Sequence, residues 1–408
     1  MDFEYHFSEE LEAFRSEVRA FIEEHAYKEP IVPPDPVQLS PEMFVRGKEL
    51  SRKMGERGWY APAYPGEYGG GGLDLGHCVV LAQEFGRIKR EHRWPGSTEV
   101  SAIHTGGIMA HGTEEQKRRF LPKLLRGDWH GAQCFTEPEA GSDEAAMKST
   151  AVRDGDVYII NGEKVFVGGE PVGGPRPDYL YWAAVTDSQA PRHENISAFF
   201  IPADLPGITY IPLNLVGGGG GQRWHMICED VRCPADCMIG EENKGWLVTQ
   251  ATLHLEHGGG GHLTTGEHLE RRLIDYCKKT LRNGKPISSD PIIRDILIQL
   301  YTEAEVARLW GVRNFAMAQG QIPRVRYTGT QTSLHRKRSS PVRGKVLLDI
   351  LGPASLISDP ELQILLGEVE LEVRLAEVTH VGGTPEVMQI MMSRALGLGR
   401  SAVRAAPR

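Results

Sequence analysis

The hydrophobic period of this chain changes twice along its length, and that order constrains the fold more than any other feature. After Ser8, the residues Leu11, Phe14, Val18, Phe21 and Ile22 recur at helical spacing, and Glu9 and Glu10 stand where the positive end of a helix dipole favours them. Ser40 before Pro41 reads as a cap and first turn, and Thr113-Glu114-Glu115-Gln116 after Gly112 as a capping box. The chain up to about residue 125 is therefore expected to be helical. From Gln133 the pattern changes. Val157 to Ile160 is bracketed by Asp154-Gly155 and Asn161-Gly162, both hairpin turn signals. Short β-type runs follow at Tyr179 to Val185, Ile196 to Ile201, Ile208 to Ile211 and His225 to Val231. After the string Gly240 to Gly245 the helical period returns, through Leu269 to Tyr276, Ile292 to Met317 and Leu362 to Val378.

An α, β, α order excludes a simple alternating βαβ protein, and the sequence holds no G-x-G-x-x-G after a strand, no Walker A string and no G-x-S-x-G elbow. Glycine is abundant, 47 in 408 residues, yet 40% of the chain is hydrophobic and no Gly-X-Y period runs through it, which excludes collagen and disorder. The glycines cluster instead, as in Gly69 to Gly72, Gly217 to Gly221 and Gly258 to Gly261. The first two of these runs read as flexible loops. The length points to two or three domains. A net charge of -8 argues against nucleic acid, and the longest apolar candidate, Tyr179 to Val185, falls far short of a membrane span. The acidic start Met1 to Tyr5 is unlike a signal peptide, and six sparse cysteines favour a reducing, cytoplasmic compartment.

Three strings carry the chemistry. Cys134-Phe135-Thr136-Glu137-Pro138-Glu139-Ala140-Gly141-Ser142-Asp143 sits where helix gives way to strand. Read alone, it is a turn whose backbone N–H groups, with the Thr136 and Ser142 hydroxyls, cradle an anion or a polar ring edge, or else a mere connector. It resembles the signature of the acyl-CoA dehydrogenase family. Gly382-Gly383-Thr384-Pro385-Glu386-Val387-Met388-Gln389 is similar to that family's C-terminal segment, and Gly112 to Lys117 to a third hallmark. The resemblance spans essentially the whole chain. It implies an α+β fold with an N-terminal helical domain over residues 1–128, a central β-barrel or sandwich domain over 129–239, and a C-terminal four-helix bundle over 240–408.

The resemblance further implies an FAD site lined by Gln133, Phe135, Thr136, Gly141 and Ser142, with Ser142 also near the pantetheine of a bound thioester. Phe166 stands where the family usually has a Trp against the flavin, and Gly168 replaces a Thr or Ser, so one hydroxyl contact is lost. Asp349, Gly352, Gly383, Thr384 and Glu386 complete the implied cofactor set. At Gly352-Pro353 the family's Gly-Gly pyrophosphate contact loses one donor N–H. The family Arg that reaches a neighbouring subunit's FAD falls near Thr280, and Arg282 is the nearest substitute.

Family chemistry is α,β-desaturation of an acyl-CoA: a carboxylate takes the α proton while the β hydrogen leaves as hydride. The α proton is weakly acidic, so the site must desolvate the base and hydrogen-bond the thioester carbonyl. Many members place the base just before the C-terminal Gly-Thr, where this chain has Gly382, whose backbone N–H still offers a donor to that carbonyl. A second group places it in a Leu-x-Leu-Glu-Arg string on the helix after the β domain. Here that string is Leu253-His254-Leu255-Glu256-His257, which makes Glu256 the expected base, against the plain alternative of a solvated helix carboxylate. His257 replaces the fixed guanidinium.

The run Gly258 to Gly261 follows in a region the family makes helical, at about 1 kcal/mol per glycine relative to alanine. Room for a bulky, branched or polycyclic acyl group, lined by Gly260 and His257, is one reading; a loosened helix is the other. His254, His257 and His262 share a helical spacing but lack a carboxylate-rich partner motif, so no metal is expected. Cys228, Cys233 and Cys237 read as buried thiols, and His335-Arg336-Lys337-Arg338 as a solvated surface segment, with contact to a CoA phosphate as the lesser reading. The implied partners are the acyl-CoA substrate, electron-transfer flavoprotein as acceptor, and further copies of the chain in a homodimer or homotetramer. A non-catalytic subunit of a mixed oligomer and an oxygen-using flavoenzyme are the rivals.

Overall fold

A computed structural model of the chain describes residues 7–25, 41–92, 99–170, 176–216, 222–256, 269–318, 320–323, 325, 327–357, 359, 361–376 and 378–398. Two compact units result, one from residues 37–78 and 93–256, the other from residues 1–36, 79–92 and 257–408.

In the first unit, helices α2 (Pro41–Glu56), α4 (Glu99–His111) and α5 (Glu114–Leu125) precede the strands. The strands are β1 (Gly131–Cys134), β2 (Thr150–Asp154), β3 (Val157–Glu170), β4 (Tyr179–Val185), β5 (Ile196–Pro202), β6 (Ile208–Leu213), β7 (Gln222–Pro234) and β8 (Met238–Ile239), and helix α6 (Gly245–Glu256) follows. The sheet runs β6-β7-β3-β2-β4-β5-β8, with β1 parallel to β4. The expected capping box starts α5: the Gln116 amide donates to Thr113 Oγ1 at 3.2 Å, and the Thr113 amide to Gln116 Oε1 at 3.0 Å. Gln116 Nε2 also donates to Asp236 O and Met238 O, which ties the helix to the sheet. Its buried stripe, Phe120, Leu121, Leu124 and Leu125, shares a core with Tyr179, Tyr181 and Phe200.

Two sequence expectations change here. Asn161-Gly162 is no turn: β3 runs straight through it, paired with β7 across a register shift. A side chain at Gly162 would put its Cβ 2.2 Å from Ser149 Oγ, so the glycine marks a close approach within a strand. Asp154-Gly155 does make the hairpin, with Gly155 at φ 63°. Nor is Gly69 to Gly72 a flexible loop. Successive amides of Gly69, Gly70, Gly71 and Gly72 donate to Gly66 O, Pro65 O, Ala61 O and Tyr64 O, and a Cβ at Gly70 or Gly71 would meet backbone oxygen at 2.3 or 2.5 Å. Compactness, not mobility, selects these glycines. Gly217 to Gly221 lies outside the described residues.

In the second unit, α1 (Glu9–His25) begins on Ser8, whose Oγ accepts from the Leu11 amide at 3.3 Å. Arg15 and Arg19 hold Glu84 of α3 (Leu75–His92) at 2.9 and 3.0 Å, so Glu84 sits below the usual carboxylate range despite its burial. The rest is α7 (Leu269–Lys279), the short pair β9 (Leu281–Arg282) and β10 (Lys285–Pro286), α8 (Pro291–Ala318), α9 (Thr328–Leu351), α10 (Glu368–Leu375) and α11 (Pro385–Ala395). Leu273, Cys277, Leu297, Leu347, Ile350 and Val369 form its core. Leu362 to Val378 is not one helix: a 3₁₀ turn at Ile364–Gly367 precedes α10, because Leu365 and Gly367 take φ of 51° and 73°. The basic run is only partly solvated. Arg336 and Arg338 are exposed, but Lys337 between them is buried, in phase with Ser333, Gly344 and Leu351 on the inner face of α9. No described helix is long and apolar enough to cross a membrane.

Candidate active site

The string Thr136 to Asp143 lies on a loop between β1 and β2. Its tip, Gly141, Ser142 and Asp143, is exposed, and a side chain at Gly141 would meet nothing within 4 Å. Below the tip the chain turns on itself: the amides of Glu137 and Ala140 each donate to the other's carbonyl at 3.1 Å. Thr136 O accepts from Val165 of β3 at 2.9 Å. Gln133 pairs with Tyr181 across the β1–β4 register, and the Phe135 ring packs edge-on to Tyr181 inside the core, so Phe135 presents only backbone to the loop.

Beneath the loop is a buried ion pair. Lys164 of β3 is fully buried; its Nζ donates to Glu137 Oε1 at 2.8 Å and to Phe135 O at 3.2 Å, and sits 5.4 Å above the Trp182 ring. Glu137 also accepts from the amides of Ser149 at 3.0 Å and Lys148 at 2.5 Å. Burial alone would raise the Glu137 carboxyl, but Lys164 and these two N–H groups outweigh it and hold the group below the usual carboxylate range. Burial pushes the Lys164 ammonium down, with Glu137 opposing.

One residue beyond Val165, where β3 bulges against β7, Phe166 adopts φ 61° with half its surface exposed. A left-handed aromatic residue costs about 1–3 kcal/mol, and such strain persists only where the surroundings impose it. Gly168 follows at φ 104°, with its carbonyl accepting from Arg223 at 2.5 Å. That conformation disfavours the branched Thr the family would place there. A half-exposed Phe166, next in sequence to the amide that holds Thr136 O, together with an exposed Ser142 and an open Gly141 on the same loop as Thr136, fits a flat, polar-edged ring system such as a flavin.

Glu256 closes α6. The helix is fixed at both ends of its packed stretch: a Cβ at Gly245 would fall 2.4 Å from Ser197 C, and buried Thr252 Oγ1 accepts from the Gly107 amide at 3.2 Å and donates to the Tyr181 hydroxyl at 3.3 Å. Thr252 stands one turn before Glu256. The Glu256 side chain, His257, Gly260 and the whole run Gly258 to Gly261 lie outside the described residues, as do the side chain of His254 and His262.

In the other unit, Gly382 and Gly383 take φ of 64° and 84°, left-handed conformations that only glycine adopts cheaply. Thr384 then caps α11, accepting from the Val387 amide at 3.2 Å, with Glu386 in the first turn where the helix dipole favours it. Lys337 donates to Thr379 O at 3.1 Å and to Val381 O, so α9 holds the strand of chain that enters this turn. Arg282 Nη2 donates to Ile350 O at 2.6 Å, which brings Arg282 onto the end of α9 next to Asp349 and Gly352. Asp349 pairs with Lys345 at 2.6 Å, and Gly352 ends the helix at φ 65°.

Lys164, Glu137 and Lys337 were not singled out by the sequence for these roles. A signal existed for both lysines: Lys164 is in alternation with inward Tyr158 and Ile160, and Lys337 in helical phase with the core face of α9.

Comparison with known proteins gives a consistent result. Family profiles for the acyl-CoA dehydrogenase N-terminal, middle and C-terminal domains match residues 8–128, 132–231 and 243–397. The chain is 30% identical to the acyl-CoA dehydrogenase FadE29 of Mycobacterium tuberculosis over 353 residues, 85% of this chain and 87% of that one. Among solved structures, a protein titled Tcur3481-Tcur3483 steroid ACAD superposes with a TM-score of 0.79 at 29% identity, covering 98% of this chain and all of that one. The ChsE4-ChsE5 complex from Mycobacterium tuberculosis gives 0.76 at 25%, covering 98% of this chain and 100% of that one.

Proposed function

This chain belongs to the acyl-CoA dehydrogenase family, and on that premise we propose that it oxidises the Cα–Cβ bond of an acyl-CoA thioester, with Glu256 as the base. Bound FAD, the family's cofactor, supplies the hydride acceptor. Glu256 takes the α proton. The Gly382 N–H donates to the thioester carbonyl and stabilises the enolate charge that develops as the proton leaves. Thr136 and Ser142 orient the polar ring edge, Ser142 also meets the pantetheine arm, and Phe166 covers the ring face and excludes water. Gln133, Gly168, Arg282, Asp349, Gly352, Gly383, Thr384 and Glu386 complete the cofactor contacts.

The observation that carries this reading is the linkage of Thr136 and the strained Phe166 through the Val165 amide, which sets the signature turn and an exposed aromatic face side by side. The register of α6, locked through Thr252, supports a fixed position for Glu256.

The acyl group is proposed to be bulky, branched or polycyclic. In sequence, four residues without side chains, Gly258 to Gly261, follow directly on Glu256-His257; His257 and Gly260 are proposed to contact that group, and a solved relative is titled a steroid ACAD. The proposed setting is a cytoplasmic homodimer or homotetramer that passes electrons to electron-transfer flavoprotein, with domain limits at 1–128, 129–239 and 240–408.

Glu256→Gln tests the base. The variant is expected to keep its flavin and to lose anaerobic flavin bleaching by acyl-CoA by about a hundredfold to ten-thousandfold; an active variant overturns the assignment. Preference for a short linear ester over ring-bearing esters overturns the substrate class.

A second reading, a subunit of a mixed oligomer, rests on the altered contacts at Gly168, Thr280 and Pro353 and on two solved relatives whose titles pair two components. It predicts a colourless protein when the chain is purified alone.

A further inference from the structure

The Glu137 carboxylate and the Lys164 ammonium together link the two stems of the signature loop. The carboxylate accepts from Ser149 and Lys148 on the stem that leaves the loop, and from Lys164, whose ammonium in turn donates to Phe135 O on the stem that enters it. The exposed tip, Gly141 and Ser142, therefore hangs from a closed ring of hydrogen bonds with a buried charge pair at its centre. We propose that Glu137 and Lys164 are positioning residues for flavin: they fix the separation of the two stems and so the place of the Thr136 and Ser142 hydroxyls.

Two physical features separate this role from plain packing. A buried ion pair contributes little net stability compared with an apolar pair of the same shape, because desolvation offsets the attraction. What it adds here is geometry. Lys164 reaches the entering stem and Glu137 the leaving stem, through atoms that an apolar pair lacks. Lys164 also lies on β3 just before Val165, whose amide holds Thr136 O, and Phe166. The same short stretch thus sets both the loop and the aromatic face.

The proposal rests on the reading that the Thr136–Ser142 turn binds flavin, and the test separates the two. Flavin dissociation constants and flavin-free melting temperatures are measured for Lys164→Met, for the double variant Glu137→Gln with Lys164→Met, for Glu137→Asp, and for the tip variants Thr136→Val and Ser142→Ala. Lys164→Met alone leaves a buried carboxylate without its ammonium and is expected to lower the melting temperature. The double variant removes both charges, but Phe135 O loses its donor, and the amide nitrogen of the introduced glutamine side chain cannot accept from a backbone N–H. It is expected to melt above Lys164→Met but below the parent, because the Phe135 carbonyl and one backbone amide are left unpaired, while binding flavin roughly tenfold to hundredfold more weakly. Glu137→Asp keeps the charge and shortens the reach; it is expected to fold and to bind flavin more weakly.

Parental flavin affinity in the double variant or in Glu137→Asp, alongside weakened tip variants, overturns the positioning role alone. Unchanged affinity in the tip variants overturns the flavin reading of the turn and the proposal with it. Should the double variant fail to fold, Glu137→Asp decides.

Discussion

The two turns that carry the family motifs are held by lysines in different ways. At Thr136 to Ser142 the lysine grips a carboxylate, and that carboxylate grips two backbone amides. At Thr379 to Gly383 it grips the carbonyls of Thr379 and Val381 directly, while the bend itself is made by two left-handed glycines. In the first turn geometry is written in side chains, so identity at residues 137 and 164 matters. In the second it is written in backbone, so residues 379 and 381 supply only carbonyls and the demand falls on Gly382 and Gly383.

That contrast ranks the expected effects. Lys164→Met strands a buried carboxylate and should cost about 3–5 kcal/mol in urea denaturation, whereas Lys337→Met leaves two carbonyls short of a donor, about 1–3 kcal/mol. Equal or reversed losses break the comparison.

Acid should release the first turn before the second. The Glu137 carboxyl is depressed in the folded state, so its contribution is fully present above the ordinary unfolded value of about 4.3 and is lost as pH falls through the lower folded value. Carbonyls do not titrate. Hydrogen exchange, corrected for intrinsic rates, should show the Lys148 and Ser149 amides losing protection on acidification ahead of the Val387 and Met388 amides, which Thr384 holds just beyond the second turn; simultaneous loss contradicts the distinction.

The smallest effects belong to Thr379→Ala and Val381→Ala, expected within about 0.5 kcal/mol of the parent because only their backbone is used. A loss like that of Lys337→Met would show that their side chains shape the turn.

Legibility in the sequence followed locality. Elements set by nearest neighbours were readable: the capping box at Thr113, the start of α1 on Ser8, and the short, continuously buried β-type runs bounded by turn residues, such as β4 and β5. Buried Cys228 and Cys233 likewise lie on β7, and burial raises the Cys228 thiol to about 12, which leaves it inert. The readings that failed depended on partners distant in sequence. Gly162 resembles a turn residue until Ser149 is seen against it, and Gly69 to Gly72 resemble a linker until their amides are traced to residues 61–66. Lys337 resembles surface charge until its helical phase is compared with the rest of α9. In the candidate site the motif turns were visible at once, yet the ion pair beneath one of them was not, because Glu137 and Lys164 are 27 residues apart and each is unremarkable alone.

The central claim, that this chain is a flavin-dependent acyl-CoA dehydrogenase in its own right, is tested most directly by anaerobic titration of the chain purified alone, followed in the visible spectrum. The expected result is a yellow protein with about one flavin per chain, bleached by a ring-bearing or branched acyl-CoA. A colourless, folded protein, or bound flavin that no acyl-CoA bleaches, would contradict it.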